Sequence, residues 1–181
     1  MNENNDNSNR ILKKDKPKYS IFEILLTTIF TISFIIQIVL MFIYYNELRL
    51  TFLLYIGFIF WIFSIYFGFI PFRTLKKRGK VEKGKSYIKT TKLVDEGPYA
   101  IVRHPQYLAG ILFTISITLW TQVWLSLILT IIIIILTYQW TYTEERLLID
   151  KFGDDYIAYK KNVSRLNIIV GLIKYMLRQK K

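Results

Sequence analysis

Two short clusters bring together the residues able to do chemistry. Arg103-His104-Pro105 opens the first, with Tyr107 and Gly110 just beyond, and Glu144-Glu145-Arg146 forms the second. His104 is the chain's one histidine and its one side chain able to exchange a proton near neutrality. Arg103 and the glutamates offer charge recognition. Acidic residues beside an otherwise basic membrane boundary are a sign of function. The plain alternatives are a helix-end salt bridge for the glutamates and an anchor among lipid phosphates for Arg103 and His104. There is no cysteine, which excludes disulfides, thiol catalysis, thiolate metal sites and palmitoylation. With a single histidine, the chain lacks the usual ligand set of a zinc enzyme, and no metal is expected.

The elements that must position these residues are membrane spans. The chain has 181 residues, 52% of them apolar, yet carries 25 Lys and Arg against 13 Asp and Glu. Charged and apolar residues are segregated into blocks. Residues 1–20 read as a disordered basic tail. Residues 21–45 and 51–70 are apolar runs long enough to cross a bilayer, which takes roughly 20 residues, and Pro71 marks the end of the second. Residues 21–72 thus hold two transmembrane helices, and 73–96 form a basic loop. The apolar region 107–142, broken at Thr121-Gln122, reads as a helical hairpin with helices over about 105–120 and 123–142. Beyond it, Leu148, Phe152, Tyr156, Tyr159 and Val163 form an apolar stripe, with a break at Gly153-Asp154. Residues 166–181 read as an interfacial basic tail, too short to span.

Charge placement orients the layout. Lys and Arg number 5 in residues 1–20, 10 in 71–106 and 9 in 143–181, which leaves only Arg49 elsewhere. Four spans put all three segments on one side, and the positive-inside rule makes that side cytoplasmic. The expectation is an all-α integral membrane protein with four transmembrane helices. Its C-terminal hairpin is followed by an amphipathic cytoplasmic segment, and both chain ends are cytoplasmic. The hairpin is antiparallel, so Glu144 and Glu145 return to the face that bears Arg103 and His104. The basic excess also suits anionic lipid head groups. Nucleic-acid binding would need a folded basic surface, and none is legible.

Two nucleotide motifs are set aside. Residues 79–86 satisfy G-x-x-x-x-G-K-[ST], but a phosphate loop needs a strand before it and a helix after it. Here a span precedes it and no helix pattern follows. No two of the eight glycines are spaced G-x-G, so a dinucleotide fingerprint is absent. Pro105 suits a helix's first turn. Tyr107, Gly110, Ile111 and Thr114 share one face there, with Gly110 admitting the close approach of a backbone or a flat ligand.

Taken together, G-P-Y-x-x-V-R-H-P-x-Y-L-x-G, the hairpin, and E-E-R-L-L-x-x-x-F-G-x-x-Y-x-x-Y-x-x-x-V-x-R resemble the isoprenylcysteine carboxyl methyltransferase family, and more loosely the phospholipid methyltransferases. The stretch runs over residues 97–165 and would be the methyltransferase core. Where the family commonly has a proline after V-x-R, this chain reads Arg165-Leu166-Asn167. The resemblance implies S-adenosylmethionine as methyl donor, bound by Arg103, His104, Tyr107 and Gly110 in one segment and by Glu144 and Glu145 in the other. A carboxylate such as Glu145 suits a sulfonium donor's positive charge and amino group. Arg103 or His104 suits its carboxylate.

In-line methyl transfer depends on alignment and water exclusion. No catalytic residue is singled out, with Arg103, His104 and Glu145 the candidates. The expected acceptor is the carboxylate of a prenylated cysteine or a similar lipid-like molecule. The alternatives are a phospholipid amine, for which His104 would be the base, and a non-enzymatic membrane scaffold or transporter subunit. A nucleotide-dependent membrane reductase is a more distant one.

Overall fold

A computed structural model describes residues 20–80 and 90–180. The expected N-terminal tail, most of the phosphate-loop match and Lys181 lie outside the described residues. Within them the chain is helical: α1 Ile21–Ile43, α2 Thr51–Arg78, a single 3-10 turn Gly97–Ala100, α3 Pro105–Thr121, α4 Trp124–Phe152, α5 Asp154–Asn162 and α6 Ile168–Gln179.

Three of these helices, α1, α2 and α4, are long and apolar enough to cross a membrane. The expected fourth, α3, has 17 residues. That is about 25 Å at roughly 1.5 Å per residue, against a hydrocarbon core of about 30 Å. Large apolar side chains such as Phe42 and Phe69 point outward from the long helices, as a lipid-facing surface requires.

Two of the long helices overrun their expected ends. Pro71 lies buried inside α2, which continues to Lys76, Lys77 and Arg78. Proline forfeits one backbone bond, and basic residues in the last turn complement the helix dipole. Likewise α4 does not stop at Tyr142 but runs on to Phe152. Glu144 and Glu145 therefore sit inside a helix, about two turns before its end.

Helices α1 to α4 alternate in direction, and hydrogen bonds stitch the two connections at one end of the bundle. Asn46 donates its N–H to the carbonyl of Trp120 at 2.8 Å. Gln122, the expected break, adopts a left-handed conformation at φ 57°. Its side chain accepts from Leu50 N–H at 3.2 Å and donates to the Leu50 carbonyl at 3.0 Å, which offsets the strain of that backbone. The opposite end gathers the C-termini of α2 and α4 and the N-terminus of α3.

Small residues let α2 and α3 approach closely. Ser64 Oγ donates to the carbonyl of Ala109 at 2.9 Å, and Gly68 faces Ala109. Helix α1 docks through Gln37, which is fully buried. Its Nε2 donates to Thr130 Oγ1 of α4 at 2.6 Å and to the Thr114 carbonyl of α3 at 3.1 Å.

Candidate functional site

The residues singled out by sequence meet where α3 begins and α4 nears its end. His104 caps α3, with Pro105 at the first helical position. The strand-like segment before it is held by a parallel bridge between Val102 and Ser164. Arg103 N–H donates to the Ser164 carbonyl at 2.8 Å. The chain after α5 therefore closes against the chain before α3, bringing Arg165 to residues some sixty positions earlier.

Glu145 is the hub, with 2% of its side chain exposed. Arg103 donates to Oε1 from Nε at 3.0 Å and from Nη2 at 2.8 Å. Arg165 donates to Oε1 from Nε at 3.0 Å and to Oε2 from Nη2 at 2.7 Å. His104 Nε2 lies 3.3 Å from Oε1 and Lys160 Nζ 3.2 Å from Oε2. A carboxylate so surrounded is satisfied on both oxygens. Arg103 is also spoken for: its Nη1 donates to the carbonyls of Lys160 at 2.7 Å and Val163 at 2.5 Å. Arg165 stacks over the Tyr142 ring, 3.7 Å from its centroid, a cation–π contact. Its own charge is held more firmly than usual, because bonding to Glu145 outweighs the cost of burial.

Glu144 is placed differently. Side chains one residue apart on a helix point about 100° apart, and Glu144 turns into a cavity of about 320 Å³. Arg103, His104 and Tyr107 also line that cavity, whereas Gly110 and Glu145 do not. Gly110 faces open space, with nothing near enough to meet an added Cβ, so the expected close approach there is not made by the protein itself. The apolar stripe packs as expected around buried Tyr156, Tyr159 and Val163. It also does more, because Leu148, Phe152, Tyr156 and Tyr159 form one wall of the cavity.

Two buried polar atoms on the cavity's lining residues, Gln106 Nε2 and Tyr156 Oη, have no hydrogen-bond partner among the described residues, and Glu144 Oε2 faces His104 Nδ1 at 3.4 Å. Buried polar atoms are nearly always paired. A donor and a hydroxyl without partners, on residues that line one cavity together with a partly exposed carboxylate, fit a polar ligand. Gln106 and Tyr156 escaped the sequence reading because nothing in their spacing separates them from packing residues. Arg165 ends the stretch that carries the family resemblance, and only the tertiary contact with Glu145 reveals its part.

His104 lies between the two glutamates, with Nδ1 3.4 Å from Glu144 Oε2 and Nε2 3.3 Å from Glu145 Oε1. Burial alone would lower its pKa, but the two carboxylates outweigh burial and raise it above the ordinary 6.5. Burial raises the hydroxyls of Tyr156 and Tyr159, the former aided by Glu145, so both stay neutral and can donate hydrogen bonds. No cluster suited to a metal ion occurs among the described residues.

A family model described as phospholipid methyltransferase matches residues 52–155, more than half of the chain. The matched part takes in α2, α3, α4 and both clusters, and stops just short of Tyr156 and Arg165. No curated protein and no solved structure matches.

Proposed function

Because the chain belongs to the phospholipid methyltransferase family, which includes isoprenylcysteine carboxyl methyltransferase-like proteins, we propose that it moves a methyl group from S-adenosylmethionine to the carboxylate of a prenylated cysteine or a similar lipid-like acid. The family makes it a membrane methyltransferase. The observation that carries the donor reading is a single cavity lined by Glu144, with 41% of its side chain exposed, and by Gln106 and Tyr156, whose buried Nε2 and Oη have no hydrogen-bond partner among the described residues.

When bound, the donor supplies an electrophilic methyl on a positively charged sulfur. Glu144 is the carboxylate available to the donor's cationic part, since Glu145 is saturated by its neighbours. Gln106 and Tyr156 offer a donor and a hydroxyl to its polar edges. Aromatic walls from Tyr107, Phe152 and Tyr159 suit a flat base and a cation. They also keep water from the reacting atoms. Glu145, Arg103 and Arg165 position this wall by locking α4 to the segments before α3 and after α5.

The choice of acceptor rests on protonation. A carboxylate is ionised at neutral pH and needs no base, whereas an ammonium must first lose a proton. His104 would be the natural base, but both its ring nitrogens face glutamates that favour its charged form. Arg103, Lys160 and Arg165 all pair with Glu145, so the cluster holds three cations against two carboxylates, which favours an anion. Methylation of a phospholipid amine is the second reading, supported by the description of the matching family. In either case α3 completes a fourth crossing and both chain ends face the cytoplasm, a reading supported by the placement of all but one Lys and Arg.

Calorimetric titration of the detergent-purified protein with S-adenosylmethionine, with nicotinamide dinucleotides and ATP as controls, tests the donor. Selective binding that Glu144→Gln weakens is the expected result. No binding to a folded sample supplied with an acceptor would favour the scaffold. Counting labelled methyl groups on N-acetyl-S-farnesylcysteine against phosphatidylethanolamine vesicles then decides the acceptor.

A further inference from the structure

Helix α6 turns its two faces the opposite way from a helix in water, whose polar side looks outward. Its polar side faces the protein. Lys174 Nζ donates to the Lys161 carbonyl at 3.0 Å and Arg178 Nη2 to the Ala100 carbonyl at 2.5 Å. Gly171, one turn before Lys174, lies on the same side, so close to the Ile101 carbonyl that a Cβ would collide with it. The opposite side carries Ile169, Ile173, Met176 and Leu177, between 49% and 71% exposed, with no described residue covering them.

At 12 residues α6 is about 18 Å long and cannot cross a bilayer. Its start is fixed in depth, because Leu166 and Ile168 pack on a cluster that includes Phe67 of α2 and Leu112 of α3. Residues 166–181 contain no acidic side chain. Exposed Lys161, Lys180 and, at the end of α2, Lys76, Lys77 and Arg78 lie at the same end of the bundle.

We propose that α6 lies in the surface of the bilayer on the site-bearing side, its apolar face among acyl chains and the surrounding basic side chains on anionic lipid head groups. An apolar face with basic flanks is what in-plane helices use for this purpose. Each basic residue near an anionic surface adds about 1 kcal/mol. Gly171 abuts the backbone two residues before Arg103, so the leaflet steadies the segment that carries Arg103 and His104.

The absence of native cysteine makes a direct test simple. Nitroxide labels on Ile169→Cys, Ile173→Cys and Met176→Cys, with Asp155→Cys on exposed α5 as control, are measured in the full-length protein in lipid nanodiscs. Any label that lowers the melting temperature is replaced by one on Leu177→Cys. Relaxation by oxygen should exceed relaxation by a water-soluble nickel chelate at the three α6 positions, with the order reversed at Asp155. The α6 labels should sit deeper when phosphatidylglycerol replaces part of a phosphatidylcholine bilayer. Ready access of the nickel chelate to α6 would overturn the proposal. Spin–spin broadening between α6 labels would overturn it in favour of a second copy as occupant. Equal depth in both bilayers would overturn the anionic head-group component.

Discussion

Arg103 and Glu145, 42 residues apart in sequence, are joined by two hydrogen bonds from one guanidinium edge to one carboxylate oxygen, at 3.0 and 2.8 Å. Both side chains are almost wholly buried. This pair ties the entrance of α3 to the far part of α4, and Arg165 closes the tie from the other side. Neighbouring glutamates thereby part company. Glu145 holds the scaffold, and Glu144 is left to the cavity.

That division predicts opposite phenotypes. Glu145→Ala strands Arg103 and Arg165 without their counter-charge and should cost about 3–5 kcal/mol of stability, read as a large fall in melting temperature in detergent. Glu144→Gln, which gives up its contact with His104, should lose far less stability than Glu145→Ala and bind S-adenosylmethionine about ten- to a hundredfold more weakly, as the loss of a charge-assisted hydrogen bond implies. The reverse pattern would return the ligand to Glu145.

Arg165→Lys keeps the charge but loses the fork onto Glu145 and the stacking on Tyr142. An ammonium cannot reproduce either geometry. A stability loss of about 2 kcal/mol is expected. An unchanged unfolding midpoint would show that the stacked fork is not needed.

His104 sets a pH dependence. It faces Glu144 and Glu145 of α4, with Arg103 beside it and Lys160 and Arg165 on the shared carboxylate. Its pKa is raised on folding, so its contribution is complete below the unfolded value near 6.5 and is lost as pH rises through the higher folded value. Melting temperatures of the wild type should therefore fall relative to His104→Asn on going from about pH 6 into the alkaline range. A constant difference across that range would mean that the histidine stays neutral in the fold.

Gln37 looks indispensable, but its partners keep other bonds. Thr130 Oγ1 also donates to the Thr114 carbonyl at 3.1 Å, and Thr118 Oγ1 to the same carbonyl at 3.2 Å. Gln37→Leu should therefore cost only about 1 kcal/mol, the scale of one polar contact between membrane helices. Steric-trap unfolding in bicelles would measure it. A loss several times larger would make Gln37 the lock that docks α1.

Much of this architecture was legible in the chain. Lipid demands long uninterrupted apolar runs, so α1, α2 and the hairpin show themselves by length alone. The hairpin break at Gln122 and the meeting of the Arg103 and Glu144 clusters follow from antiparallel connection. Pro71 and Tyr142 misled as boundaries, because a helix carried past the membrane by basic or acidic side chains loses hydropathy without losing its hydrogen bonds. Residue types could name Glu144 and Glu145 together but could not separate them, since that depends on which one faces the Arg103–Arg165 clamp. Gln106 and Tyr156 became visible only as atoms left without partners. Sequence determined that charged groups would meet at one membrane face. Only the folded chain, by closing residues 160–165 against residues 102–104, decided which of them neutralise one another and which remain open to a ligand.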